Sequence, residues 1–191
     1  MTRRSPLAVL VLALLREAPM HPYRMQQLIK ERAQDELVNV AQRNSVYQTL
    51  DRLVRDGLVE ATGTSRDTGR PERTVYRITA PGAALLDEWL TTMLATPARE
   101  FPEFPVALAL VPMLAPEHLA ELLTRRITAL EQRRAARAVP PPDLPRLFLV
   151  EDEYRTAVEQ AELDWLHRLI ADLRTGRLTW NPALPDADPA H

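Results

Sequence analysis

The sequence predicts a mainly α-helical protein with one two-stranded β-hairpin, divided into two domains. Apolar residues recur at helical spacing over most of the 191 residues. Residues 58–79 instead show strand-like runs on either side of a Gly-Arg-Pro turn that begins at Gly69. Prolines then crowd residues 97–105. We therefore expect domains at 1–96 and 97–178 and a flexible tail at 179–191.

The first helix is expected to begin after Ser5, which can cap it, with Pro6 in its first turn. It is apolar on all sides from Leu7 to Leu15, so we expect a partner molecule to cover one of its faces. This apolar run is too short to cross a bilayer, and no signal-type cleavage site follows it. These features favour a cytoplasmic protein without a membrane partner. A second helix is predicted from Pro22 to about Ala33.

The third predicted helix, from Ser45 to Asp56, leads directly into the hairpin. Gly57 supplies a left-handed exit at its end. Its expected core stripe consists of Val46, Tyr47, Leu50, Leu53 and Val54, which leaves Gln48, Thr49, Arg52 and Arg55 outside the core. A helix followed at once by a hairpin with a basic tip is typical of a winged helix-turn-helix, in which this helix enters the DNA major groove.

Several polar residues of this segment are candidates for contacts with double-stranded DNA. Gln48, Thr49 and Arg43 are expected to discriminate bases, and Arg52 to bind guanine or phosphate. Arginines of the hairpin are expected to bind phosphates, although a charged hairpin also discourages strand-to-strand aggregation. Taken alone, each of these residues is more typical of a solvated surface, and Ser45 is more typical of a helix cap than of a DNA contact. The full candidate set is Tyr23, Arg43, Ser45, Tyr47, Gln48, Thr49, Arg52, Arg66, Arg70 and Arg73.

The second half of the chain is predicted to be an all-α dimerisation domain. Thr79 caps a fourth helix, and further helices are expected at about 105–114, 116–138 and 144–175. The last helix is too long to bury its apolar stripe inside a small domain, so a second copy of the chain is expected to cover it. The residues expected at this homodimer interface are Leu7, Leu10, Val11, Leu14, Tyr154, Val158, Ala161, Trp165 and Leu169.

Composition narrows the functional classes. The net charge is -2, and residues 1–90 carry 13 basic and 11 acidic side chains, so a DNA-binding face must be a local patch. The absence of cysteine excludes disulfides, thiolate nucleophiles and cysteine zinc sites. Four scattered histidines suggest no metal site, and neither a phosphate loop nor a nucleophile elbow is present. We expect no cofactor and no enzymatic activity, since a hydrolase on this scaffold would need a nucleophile and a base.

The order and spacing of several motifs resemble the PadR transcriptional regulators. These motifs are residues 19–23 (PMHPY), 45–53 (SVYQTLDRL), 56–59 (DGLV), 69–79 (GRPERTVYRIT) and Gly82. The segment from Phe104 to Leu130, with Glu162, Trp165 and Leu166, is similar to the helical C-terminal domain of many members, the virulence-activator alpha type. The sequence departs from the common pattern at Pro22, Asn44 and the Gln48-Thr49 pair, so the resemblance does not predict the operator sequence.

The resemblance implies a homodimeric regulator, usually a repressor, that binds a roughly palindromic operator. Its C-terminal helices would clasp the first helix of the partner. Family members often release DNA when a small aromatic or drug-like compound binds near the dimer interface. Trp89, Met93 and Trp165 are the candidates for such a pocket, although they are also typical core residues. A winged-helix protein-interaction module that does not bind DNA is the alternative, supported by the nearly neutral first domain.

Overall fold

The computed structural model describes residues 4–38, 45–65, 73–137 and 139–182, with the backbone alone for residues 36, 64, 65 and 73. The chain forms two compact units, Met1–Arg99 and Glu100–His191. Each unit has its own apolar core. The described residues are mainly helical and include one two-stranded antiparallel sheet, which confirms the predicted fold class.

The N-terminal unit is a small helical domain that carries a β-hairpin. In the described residues it contains a 3-10 turn at Gln34–Glu36 and the elements α1 Pro6–Glu17, α2 Pro22–Glu31, α3 Ser45–Arg55, β1 Val59–Ser65, β2 Arg73–Ile78 and α4 Ala80–Ala95. Helix α2 stops two residues before its predicted end because Ala33 adopts a left-handed conformation, with φ of 52°. Helices α2 and α3 form the helix pair that precedes the hairpin.

The predicted helix signals in this unit are confirmed. The Oγ of Ser5 accepts a hydrogen bond from the Ala8 amide at 3.2 Å, and the Oγ1 of Thr79 accepts one from the Gly82 amide at the same distance. Gly57 has a φ of 72° and ends α3, after which the Leu58 amide returns to the carbonyl of Leu53 at 2.9 Å. These local bonds fix where α1, α3 and α4 begin or end.

Helix α1 lies at the centre of the N-terminal core. It contacts α3, α4 and β2, so neighbours from its own unit cover most of its surface. Val11 and Leu14 are 0% and 1% exposed. The prediction that these two residues contact a partner molecule is therefore wrong, because they have no free surface. Leu7 and Leu10 are half-buried at the edge of the same core.

The hairpin is joined to the loop before α2. Strands β1 and β2 pair antiparallel with Val59 opposite Ile78, and an irregularity between Ala61 and Gly63 shifts the register. The backbone of Met20 exchanges two hydrogen bonds with Tyr76, each 3.1 Å long. The start of the helix pair is thereby tied to β2 and takes a fixed position relative to the hairpin.

The C-terminal unit is built around a pair of long helices. Its described elements are α5 Glu103–Ala109, α6 Pro116–Ala136 and α7 Val150–Arg174, with 3-10 turns at Val111–Met113 and Arg146–Phe148. Leucine and isoleucine side chains of α6 and α7 form its core. Helix α5 ends before Pro112, which has no amide hydrogen for a helical bond. Helix α7 starts six residues later than predicted, and a 3-10 turn at Arg146–Phe148 precedes it.

The predicted flexible tail is wrong at Trp180. The Nε1 of this residue donates to the carbonyl of Leu114 at 2.9 Å, and its ring packs against the C-terminal core. The chain is thus anchored six residues beyond the end of α7.

Candidate nucleic-acid interface

Helix α3 has one buried face and one exposed face. The buried face consists of Val46, Thr49, Leu50 and Leu53, at the spacing of successive helical turns. Exposed residues on the other side are Tyr47, Gln48, Asp51, Val54 and Arg55. Gln48, Asp51 and Arg55 lie at spacings of three and four residues, so they follow one line along the middle of the exposed face.

The observed faces correct three predictions about α3. Val54, which was expected in the core, is 37% exposed. Thr49 is only 7% exposed, so its predicted contact with bases is wrong. It lies three residues after Val46 and four before Leu53, which turns it toward the core. Tyr47, which was expected in the core, is 42% exposed. The ring of Tyr47 therefore belongs to the candidate surface.

Arg52 lies at the edge of the exposed face, against the start of α1. Its Nη2 donates to the Oγ of Ser5 at 3.3 Å, while its Nε is buried and has no hydrogen-bond acceptor within the described residues. The side chain is half-buried. Arg52 is therefore held at the periphery of the surface and not in the central line of Gln48 and Asp51.

Tyr76 of β2 lies next to the exposed face of α3. Burial raises the pKa of the Tyr76 phenol, and the nearby Asp51 carboxylate and Tyr47 phenol raise it further. Asp51 and Tyr47 therefore lie within electrostatic range of Tyr76. Tyr23, in the first turn of α2, is 53% exposed. Ser45 is half-buried at the first residue of α3.

Several candidates lie outside what the structure describes. Arg43, Arg66 and Arg70 are outside the described residues, and the side chain of Arg73 is as well. Their contacts with DNA stay predictions. Asp51 was not among the candidates, although its position three residues after Gln48 was visible in the sequence.

The candidate effector residues differ in exposure. Trp89 is 7% exposed in the N-terminal core, so it serves packing there, while Met93 of the same helix is 44% exposed. Trp165 is 38% exposed and contacts Phe104 edge to face, with ring centres 6.3 Å apart. The guanidinium carbon of Arg126 lies 3.5 Å from the centre of the Phe104 ring, and Arg126 also pairs with Glu162 at 2.5 Å.

Two shallow depressions lie on the α6 and α7 pair. One has a volume of about 590 Å³ and is lined by charged and small side chains, including Glu117, Arg125 and Arg174. The other has a volume of about 430 Å³ and includes Arg134 and His167. Neither depression is lined by any of the three candidate effector residues.

The predicted dimer residues of α7 form an exposed stripe. Tyr154, Val158 and Trp165 are 70%, 49% and 38% exposed, Ala161 is exposed and Leu169 is half-buried. The opposite side of α7 packs on α6 through Leu163, Leu166, Ile170 and Leu173. Helix α7 therefore has a second, largely apolar face that its own unit leaves uncovered.

A hairpin that follows a helix pair, with a polar outer face on the second helix, defines a winged helix-turn-helix protein. Residues 11–88 match the sequence model of the transcriptional regulator PadR-like family. Residues 11–88 of the chain are therefore a PadR-like domain, and this family consists of transcriptional regulators and not of enzymes.

Solved structures support the fold over most of the chain. Bacillus subtilis PadR in complex with operator DNA is similar at a TM-score of 0.62 and 21% identity, over 87% of this chain and 98% of that one. The same protein in complex with p-coumaric acid is similar at a TM-score of 0.65 and 18% identity, over 89% and 99%. A comparison with curated protein sequences finds no match. At these identities the structural likeness establishes the fold.

Other site types have no counterpart in the described ranges. No group of three or more histidine, aspartate or glutamate side chains there is placed to hold a metal ion. Within the same ranges, no helix combines the length and the apolar character needed to cross a membrane.

Proposed function

We propose that this regulator binds double-stranded DNA as a homodimer, with α3 in the major groove and the β1–β2 hairpin on the backbone. The exposed face of α3 carries the proposal. It presents Tyr47, Gln48 and Asp51 in one patch beside the hairpin, while the buried face of the same helix joins the core. A helix anchored in this way offers its polar groups in a fixed register to base edges.

The similar Bacillus subtilis PadR, whose structure is known with operator DNA, supports this role. Repression is the expected outcome of binding, since a regulator seated on a promoter excludes polymerase. The proposed place of action is the cytoplasm.

The homodimer is proposed from the uncovered stripe of α7. Tyr154, Val158 and Trp165 expose apolar surface on the side that faces away from α6. If the α7 stripes of two copies pack against each other, both stripes are buried. The dimer would then bring two α3 helices to one DNA molecule. The matching operator would be roughly palindromic, because a dimer with two-fold symmetry presents two equivalent α3 helices to the DNA.

A small aromatic effector is the final part of the proposal. The similar Bacillus subtilis PadR is known in complex with p-coumaric acid. Within the C-terminal unit Trp165 offers exposed apolar surface, and the guanidinium of Arg126, which is paired with Glu162, lies beside Phe104. Addition of p-coumaric acid to a preformed DNA complex, followed by tryptophan fluorescence and anisotropy, tests whether a ligand of this class releases DNA. Unchanged fluorescence and anisotropy would exclude p-coumaric acid as the effector.

DNA binding itself is tested by fluorescence anisotropy of the full chain. The duplexes are the promoters upstream of its own gene and the neighbouring genes, with shuffled sequences of equal composition as the control. We expect at least about 10³-fold tighter binding to one promoter than to its shuffled version. Equal binding to all duplexes, or no binding, would overturn the proposal and favour the protein-interaction module that the nearly neutral first domain suggested.

A further inference from the structure

Asp51 is an acidic side chain in the middle of a face proposed to approach a polyanion. It lies three residues after Gln48 and four before Arg55 on the exposed side of α3. It has no salt-bridge partner among the described residues. The neighbouring arginines point elsewhere, since Arg52 bonds to Ser5 and Arg55 donates from Nε to the backbone carbonyl of Asp51 at 3.3 Å.

An unpaired carboxylate weakens binding to phosphates at any sequence. It becomes favourable only where it meets a hydrogen-bond donor of a base. In the major groove the bases offer two such donors, the amino groups of cytosine and adenine. Adenine also presents its N7 acceptor beside its amino group, which repels a carboxylate and favours an amide side chain. The cytosine amino group is therefore the complementary partner of Asp51.

We propose that Asp51 is a specificity-determining residue that accepts a hydrogen bond from a cytosine amino group in the operator, next to the base pair read by Gln48. The inference rests on the proposed DNA binding. Thr49 is buried and cannot reach the DNA. Asp51 therefore takes its place as the second residue that contacts bases beside Gln48.

Helix geometry limits where the cytosine lies. Three residues advance an α-helix by about 4.5 Å, whereas successive base pairs are about 3.4 Å apart. Gln48 and Asp51 therefore address positions one or two base pairs apart. Since glutamine pairs best with adenine, the expected half-site contains an adenine and a cytosine at this spacing.

The test is selection of bound duplexes from a randomised pool by the full wild-type chain and by Asp51→Asn. This isosteric substitution removes the charge and adds an amide donor. The matched control is Asp143→Asn, which makes the same chemical change at an exposed residue of the C-terminal unit. Circular dichroism of all three proteins establishes that the helices are retained.

Wild type and Asp143→Asn are expected to select cytosine at one position of each half-site. Asp51→Asn is expected to lose this preference by at least about fivefold and to select adenine there, because asparagine binds the N6 and N7 edge of adenine. If Asp51→Asn selects the wild-type motif and only binds all duplexes more tightly, Asp51 is a general repulsive charge and the inference fails. If the wild type selects no motif, the proposed DNA binding itself fails.

Discussion

The side chain of Arg52 reaches from α3 to Ser5, where its Nη2 donates to the Oγ at 3.3 Å. The same hydroxyl oxygen caps α1 by accepting from the Ala8 amide. Helix α3 is thus joined to α1 by a polar contact as well as by the core. Arg52 therefore lies at the edge of the exposed face of α3. This position favours a contact with a DNA phosphate over a contact with a base.

The position of Arg52 leads to a prediction about salt dependence. We expect Arg52→Ala to weaken DNA binding by a similar factor at all sequences, because a phosphate contact carries no base information. The slope of log K against log salt should fall in magnitude by about 0.9, the value for one lost phosphate contact. Anisotropy titrations at four salt concentrations measure this slope. Arg168→Ala, at an exposed residue of α7, is the control. A loss of preference at a single base would instead assign Arg52 to guanine.

A second salt experiment tests the hairpin. Arg70 lies outside the described residues, and the sequence predicts that it binds a phosphate. Arg70→Ala should reduce both affinity and salt slope, with the order of preferred sequences unchanged. The measurement is the same anisotropy titration, on the selected operator and on a shuffled duplex. Unchanged affinity and slope would exclude a phosphate contact by this residue.

Gly82 is held where a side chain cannot fit. A Cβ atom at this position would overlap the carbonyl oxygen of Leu58, which accepts a hydrogen bond from the Thr79 amide at 3.1 Å. We expect Gly82→Ala to lower the free energy of unfolding by about 1–3 kcal/mol, the usual range for overpacking. Urea unfolding followed by circular dichroism measures the change.

The sign of the change in the free energy of unfolding shows whether overpacking or helix propensity dominates for Gly82→Ala. Helix propensity alone predicts that Gly82→Ala stabilises α4 by roughly 1 kcal/mol. The reverse change at an exposed site of the same helix, Ala84→Gly, is the control and should follow propensity. A stabilised Gly82→Ala protein would show that the backbone of Leu58 moves away at little cost.

The C-terminal unit contains a nearly buried ion pair between its long helices. Arg137 donates from Nη2 to the Oε1 of Glu159 at 2.7 Å, and these side chains are 13% and 12% exposed. Glu159→Ala would remove the nearer carboxylate of Arg137 and leave Asp152, which lies 3.4 Å from Nη1 of the arginine. We expect the free energy of unfolding to fall by about 1–3 kcal/mol, the usual cost of a buried donor that loses its acceptor. Urea unfolding followed by circular dichroism is the measurement.

Glu153→Ala is the matched control for this pair. Glu153 bonds to Arg146 at 2.9 Å, and its side chain is well exposed to solvent. Its removal should leave the midpoint of unfolding nearly unchanged, since exposed ion pairs contribute little. Equal effects of the two substitutions would show that burial does not strengthen the pair of Arg137 and Glu159.

Local signals made much of the fold predictable. Ser5, Thr79 and Gly57 act on backbone groups within a few residues, so the caps and the exit of α3 were visible in the sequence. Burial depends instead on neighbours that are distant in the chain. Thr49 and Tyr47 are both amphipathic, and only the packing of α1 and β1 against α3 decides which of them faces the core.

The same limit applied to α1 and to the C-terminal unit. A helix that is apolar on all sides needs packing neighbours around most of its surface. The sequence did not show that α3, α4 and β2 of the same unit are these neighbours. The pairing of Arg137 with Glu159, 22 residues away, was equally invisible. The exposed position of Asp51 also depends on which side of α3 packs in the core.

The exposed stripe of α7 gives a final prediction about assembly. Val158 is 49% exposed between Tyr154 and Ala161. If two copies bury this stripe, Val158→Glu places an unpaired carboxylate in their interface, where its desolvation opposes association. We expect sedimentation equilibrium to give the dimer mass for the wild type and the monomer mass for Val158→Glu.

DNA binding should weaken together with assembly. A dimer gains affinity for a palindromic site because its two DNA-binding domains are linked. A monomer loses this gain, which is about 10²- to 10⁴-fold. Arg168→Glu introduces the same residue at an exposed polar site of α7 and should preserve both the dimer and DNA binding. If Val158→Glu sediments as a dimer, another surface joins the two copies. If it is monomeric yet binds the operator with wild-type affinity, each copy reads DNA alone and the palindromic site is ruled out.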